Sequence, residues 1–287
     1  MLEEELKNIE KKIDLKKLKK QANNLKIMII IQFMCLILIA ISIISIIRNY
    51  TTSSMSTFDI IISASGFLAI LIFFLISKLI NKNKVKFKTN YYDKIMLPII
   101  RKVNANWTYL DENNMSEIIR EFILSGFYES SIDRLVNENS IRGKINMDIN
   151  ILIHHITSID IIGYGQHRKL RKIFDGIFAV VETNIDKNFN LCIEGNNGFV
   201  KISSTLNDIK IKSLTETFYK NTLLDFDLVI RNGKIYIRIF SGNKFKEHIF
   251  KKLIDKNTLE TYYLTLKFMQ EISNEIIRIT YNENRAN

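Results

Sequence analysis

The sequence predicts an α+β protein: an N-terminal transmembrane helical hairpin followed by a mostly antiparallel sheet packed with helices. Three observations carry that expectation. Two uncharged apolar runs lie near the N-terminus, Ile27–Ile47 and Ile60 to about Ile80. From Glu138 onward several stretches alternate apolar and polar residues with a period of two, as half-buried strands do. Asn232-Gly233, a favoured two-residue hairpin turn, separates two such stretches.

Residues 1–26 form the first predicted element, a basic amphipathic helix. Leu2, Leu6, Ile9, Ile13 and Leu18 recur among eight lysines, which suits a solvated lead-in to a membrane or a short self-association helix. Residues 27–80 are the predicted two-span hairpin. An uncharged helix of about 21 residues is roughly 31 Å long, close to the hydrocarbon thickness of a bilayer. The second run is uncharged from Ile60 to Ser77, and the stem of Lys78 can snorkel while Leu79 and Ile80 complete the span. A cleaved signal peptide fits poorly, because the first run is long and a second follows at once. Lys26, Arg48, Lys78, Lys82 and Lys84 flank the runs, and the loop Arg48–Asp59 holds a single basic residue. The positive-inside rule therefore predicts a multi-pass protein of the cell membrane with both termini cytoplasmic. Residues 81–103 read as a membrane-proximal linker helix with a break near Leu97, ahead of Pro98.

Charge narrows the partner classes. The chain carries net +11, but residues 1–88 hold 14 Lys/Arg against 6 Asp/Glu, and the rest holds 27 against 24. The excess is mostly a membrane-flank property that suits anionic headgroups, and no nucleic acid is expected. Two cysteines, Cys35 and Cys192, supply neither a disulfide framework nor a four-ligand zinc site. No cofactor or metal is expected. One proline with abundant Ile, Asn and Lys fits an AT-rich bacterial genome.

Residues 104–287 are the predicted cytoplasmic α+β domain. Trp107–Leu110 reads as a short extended segment. Asn114-x-x-Glu117 is a capping-box pattern opening a helix with Met115, Ile118, Ile119, Phe122 and Ile123 on its apolar face, closed by Gly126. Predicted strands follow at Glu138–Ile145, Met147–Ile162 and Arg171–Thr183, with shorter ones at Leu191–Ile193 and Phe199–Ser203. Ile149, Ile151, Ile153, His155, Thr157, Ile159 and Ile161 are expected on one face, and Phe174, Phe178 and Val180 on one face of the next strand. Ser213-x-x-Glu216 predicts a brief helix to about Tyr219. The Asn232-Gly233 turn sets Ile230 against Ile235, Leu228 against Ile237 and Phe226 against Ile239. Lys244–Ile254 and Asn257 to about Thr280 read as amphipathic helices. The last is opened by Asn257-x-x-Glu260 and buries Leu259, Tyr262, Leu266, Met269, Ile272, Ile276 and Ile279.

Four stretches resemble a bacterial family, domain-of-unknown-function family 3137: Ser116–Phe127, Ser140–Lys144, Ile173–Phe189 and Arg231–Glu247. The resemblance covers roughly residues 89–275 and extends to the layout, two membrane spans ahead of one domain. The stretch between Cys192 and Ser213 is shorter than the family pattern, so an element there is expected to be missing. The resemblance implies a fold and a location but no activity and no site residues.

Candidate chemistry is sparse. His154 and His155 are adjacent on a strand and point to opposite faces, so they cannot share a metal; His155 reads as a core histidine and His154 as a surface or polar-face one. His167 lies in a basic loop and His248 on a short helix. Gly163-Tyr-Gly165 reads as a turn, and Asp225 and Asp227 as a solvated strand face. Cys192 reads as structural. The run Arg168, Lys169, Arg171 and Lys172 reads as a solvated turn or as a contact with the anionic inner leaflet.

These observations lead first to a membrane-tethered protein-interaction or scaffold domain, partnered by another protein or by its own copies, and more in keeping with a non-enzyme. The alternative is a membrane-tethered enzyme or small-ligand sensor, with His154, His155, Asp160 and Asp175 as the residues to test. A cleft bringing a histidine together with two carboxylates would favour the alternative; an exposed apolar patch would favour the first.

Overall fold

The computed structural model describes residues 15–52, 56–110, 114–128, 132–146, 149–163, 168–183, 185, 191–196, 199–203, 209–242, 244–245 and 255–286. The predicted helix Lys244–Ile254 and most of residues 1–26 lie outside the described residues, as do His167 and His248. The chain divides into two compact units, one reaching Met96 and the other starting at Leu97.

The first unit is an antiparallel pair of long helices, α1 (Leu15–Thr52) and α2 (Thr57–Tyr91). Both are long and apolar enough to cross a membrane, and only 11% of each apolar window is buried. A buried hairpin of a soluble core would show the opposite, with most of that surface covered. Several of the sparse polar residues, Gln32, Ser42, Ser45 and Ser77, face inward instead. Gln32 Nε2 donates to Ser77 Oγ at 2.7 Å and Ser42 Oγ donates to the Ile62 carbonyl at 2.7 Å. Gly66 lets the helices close, because a Cβ there would stand 2.1 Å from Ser42 Oγ. Such small and hydroxyl residues are what helix pairs use where lipid removes the hydrophobic drive to associate. The helices run further than the apolar spans and leave only residues 53–56 between them. Arg48, one of the predicted flanking residues, pairs with the buried Asp59 at 2.7 Å. Ser56 and Asp59 cap α2 reciprocally. Lys78, Lys82 and Lys84 are exposed.

A π-helical turn, Tyr92–Met96, precedes α3 (Leu97–Val103). The helical ladder is widened just before Pro98, where that residue has no N–H to donate.

Among the described residues of the second unit, eight strands form one sheet in the order β1-β2-β3-β4-β8-β7-β5-β6. They are β1 (Thr108–Leu110), β2 (Arg134–Lys144), β3 (Asn150–Ile162), β4 (Lys169–Glu182), β5 (Cys192–Asn196), β6 (Phe199–Ser203), β7 (Phe226–Arg231) and β8 (Lys234–Ile239). Every pairing is antiparallel. The helices are α4 (Met115–Leu124), α5 (Ile209–Thr222) and α6 (Lys256–Ala286). The α+β class is therefore as the sequence predicts.

The β7–β8 hairpin has the predicted register, Ile230 with Ile235, Leu228 with Ile237 and Phe226 with Ile239. Asn232 and Gly233 both have positive φ, 55° and 74°, as a type I′ turn requires. On the opposite sheet face, α4 packs Ile118 and Phe122 against Leu135, Ile156, Phe174, Phe178, Val180 and Tyr236. Phe218 of α5 and Phe268 of α6 stack at 4.2 Å between ring centroids and meet Phe226 on the other face. All seven apolar residues expected to be buried on α6 are buried.

Several expectations are corrected. β2 starts at Arg134, and β4 carries a bulge at Ile173, which has no partner on β3 between the pairs Ser158–Phe174 and Ile159–Lys172. Ile123 lies on the exposed side of α4, and buried Glu121 takes a place on its inner side. The stretch from Cys192 to Ser213 holds β5, β6 and the start of α5, which begins at Ile209 rather than at Ser213. Asp255, not Asn257, caps α6, its carboxylate accepting from Thr258 N at 3.1 Å.

Candidate functional site

The α4 face of the sheet carries a cleft of about 290 Å³, lined among others by Glu117 and Glu121 of α4 and by Ser140, Arg142, Leu152, His154 and Val180 of the strands. Helix α4 is ten residues long and covers only part of an eight-stranded sheet. Its edge over β2–β4 forms the opening. Ser140 lies directly opposite His154, and Arg142 opposite Leu152. Because side chains alternate along a strand, these four share the face that α4 covers.

Glu121 is the most constrained residue of the site. It accepts from Lys234 Nζ at 3.0 Å, Tyr236 Oη at 3.0 Å and Arg120 Nη2 at 3.3 Å. Burial pushes its carboxyl up, but the hydrogen bonds and charge of Lys234 and Tyr236 outweigh that and hold it below the ordinary value. The Tyr236 hydroxyl is pushed well above its usual range, first by burial and then by the Glu121 charge. Glu121 is thus a permanent anion neutralised from within the domain.

His154 is only 5% exposed. Asn137 Nδ2 donates to Ser140 Oγ at 2.8 Å, and Ser140 Oγ lies 2.8 Å from His154 Nδ1. The Ser140 hydroxyl and His154 Nδ1 share one hydrogen bond, with either atom able to donate according to the imidazole tautomer. Burial lowers the His154 pKa to about 4, so the ring is neutral near pH 7. A fully buried Ser140 with so weak a base beside it is poorly arranged as a nucleophile. The arrangement is suited to holding a ligand by hydrogen bonding.

Two opposite charges at the cleft remain without an ion pair among the described residues, the exposed Arg142 guanidinium and the exposed Glu117 carboxylate. Among the described residues the Glu117 carboxylate accepts one hydrogen bond, from Asn114 Nδ2 at 3.4 Å. Leu110, Ile118, Leu152 and Val180 supply an apolar wall.

The residues singled out from sequence do not assemble. His154 is in the cleft and buried, not on the surface, because α4 covers its face. His155 points to the other face and is buried, with Nδ1 3.8 Å from Glu138 Oε2. Asp175 is buried beside Thr157 Oγ1 at 3.1 Å and Lys172 Nζ at 2.7 Å. Asp160 lies at the far end of β3, 3.7 Å from Arg171 Nη2. Asp227 is not solvated: it accepts from Arg238 Nε at 2.6 Å, and that guanidinium lies between the rings of Phe127 and Phe240. Burial raises the Cys192 thiol pKa, which leaves it unreactive. Arg168, Lys169, Arg171 and Lys172 are all exposed. Among the described residues no group of three or more His, Cys, Asp or Glu could hold a metal ion.

Sequence reasoning missed Glu117, Glu121, Ser140 and Arg142. The available signal was the i, i+4 spacing of the two glutamates on a helix with an otherwise apolar inner face. Comparisons with protein-family models, curated proteins and solved structures return no match.

Proposed function

We propose that the chain is a bacterial inner-membrane protein with two spans and both termini cytoplasmic, whose α+β domain binds a small polar molecule beneath α4. The cleft carries this reading: it brings His154 together with Glu117, Glu121 and an Arg142 that has no ion pair among the described residues, over an apolar wall. The ligand that fits has an anionic group for Arg142, a hydrogen-bonding polar group for His154 and an apolar part for Leu152 and Val180. Short carboxylic acids and apolar α-amino acids have that chemistry, and the ammonium of the latter suits Glu117.

The test is thermal unfolding of the detergent-solubilised full chain with butyrate, hexanoate or free leucine. At least one is expected to raise Tm in the wild type and to lose its effect in Arg142→Ala. No shift with any of them, or an equal shift in Arg142→Ala, refutes the ligand. Orientation is tested separately, by labelling a cysteine at Tyr50 from the outside of intact cells with an impermeant maleimide.

A second reading, a scaffold docking a protein partner, is supported by Ile123 and Leu124, which stand 50% and 41% exposed at the end of α4. Co-purification of a reproducible partner that Ile123→Asp releases would favour it. Under either reading the layout agrees with membership of domain-of-unknown-function family 3137, which we propose on the four stretches above.

A further inference from the structure

β3 and β4 run further than the sheet around them. The last pair β3 makes with β2 is Ile159 with Arg134, and the last pair β4 makes with β8 is Ile177 with Ile239. Beyond those points, among the described residues, Asp160–Ile162 and Lys169–Arg171 pair only with each other, as a two-stranded ribbon: Asp160 with Arg171, Ile161 with Leu170 and Ile162 with Lys169. A ribbon with no third strand has little core to bury apolar side chains in. It nonetheless carries Ile161, Ile162 and Leu170, which are 41%, 44% and 72% exposed.

The charge around these three is basic. Lys169 and Arg171 belong to the ribbon, and Arg168 and Lys172 flank it; all four are exposed. Three carboxylates lie behind them. Asp160 is 3.7 Å from Arg171, Asp175 is 2.7 Å from Lys172, and Asp133 accepts from the Ile161 amide at 2.7 Å. Asp133 also attracts Arg168, and none of the three carboxylates pairs with Lys169, so four basic side chains against three carboxylates leave the tip with a small net positive charge among its exposed aliphatic side chains. An apolar tip collared by Lys and Arg is complementary to an anionic bilayer: aliphatic side chains enter the interface while the collar meets headgroups. Water or an acidic peptide would satisfy the collar but would leave Ile161, Ile162 and Leu170 in contact with solvent or polar groups.

We infer that the β3–β4 ribbon is a membrane-inserting element, with Ile161, Ile162 and Leu170 entering an anionic leaflet and Arg168, Lys169, Arg171 and Lys172 binding its headgroups. The inference rests on the reading that the chain is anchored in the membrane, and it is independent of the ligand cleft.

The experiment places an environment-sensitive fluorophore on Leu170→Cys in a full chain carrying Cys35→Ala and Cys192→Ala. The protein is reconstituted in phosphatidylcholine vesicles with or without phosphatidylglycerol. A control label sits at Ile209→Cys, an exposed position on α5. With phosphatidylglycerol the Leu170 label is expected to shift to the blue and to be quenched by lipid-borne quenchers, while the Ile209 label stays in water. Neutralising each basic residue is expected to lower the inserted-to-free ratio about five-fold. Identical emission with and without phosphatidylglycerol, or a shift produced by soluble polyglutamate instead, overturns the inference. Carbonate extraction separates the two failures: a chain released from vesicles sinks the membrane reading, and a retained chain whose Leu170 label stays in water sinks only the ribbon.

Discussion

The buried neutral His154 makes a quantitative prediction about pH. Its unfolded value is 6.5, and burial lowers the folded value to about 4. Between these values the unfolded chain binds a proton that the folded chain refuses. Stability is therefore complete above pH 6.5 and falls as pH drops towards 4. The loss is about 2 kcal/mol at pH 5 and approaches about 3 kcal/mol below pH 4. Trp107 is the protein's only tryptophan, is fully buried, and donates from Nε1 to the Lys144 carbonyl at 3.0 Å, so its emission reports domain unfolding. Denaturant titrations of the full chain in detergent at pH 7 and pH 5 would compare wild type with His154→Gln, which keeps a polar group near Ser140 but cannot titrate. Other groups contribute equally to both proteins, so the difference isolates His154. The expected outcome is a pH-dependent loss smaller by about 2 kcal/mol in the variant. Equal losses, or a His154 resonance titrating near 6.5, would refute the argument from burial.

Other sites give sharper tests of packing. Glu121→Ala leaves Lys234 and Tyr236 without their acceptor and is expected to cost about 2–3 kcal/mol at pH 7 by the same titration. A Cβ on Gly143 would stand 2.0 Å from Trp107 Cδ1, so Gly143→Ala is expected to shift the Trp107 emission and to cost about 1–3 kcal/mol. Cysteines at Gln32 and Ser77, whose native side chains meet at 2.7 Å, should be joined by a short bis-maleimide in membranes, and Gly66→Leu should reduce the link by forcing the helices apart at Ser42. A cross-link that survives Gly66→Leu undiminished would contradict the packing.

Much of this protein was legible in order along the chain. Hydropathy alone marks the two long helices, because each holds an uncharged apolar run long enough to cross a membrane. Alternation marks β3 and β4, and the Asn232-Gly233 turn dictates the β7–β8 register, since its positive φ values admit one pairing. The inner face of α6 follows from its helical period. Such features are local, and neighbouring residues are enough to specify them.

The site was not local. His154 looked like a surface histidine because a strand does not say which helix will cover it, and α4 covers it only through pairings that span the chain. Glu121 broke the apolar pattern of its helix, and its partners Lys234 and Tyr236 lie more than a hundred residues away. The basic run was visible as charge, but its aliphatic neighbours became a tip only when β2 and β8 stopped short of the ends of β3 and β4. By itself the sequence determined which segments are apolar, alternating or turned, because those are properties of adjacent residues. Only the tertiary structure decided which charges are neutralised, which histidine is buried and which aliphatic side chains are left exposed, because desolvation and pairing depend on what the rest of the chain brings alongside.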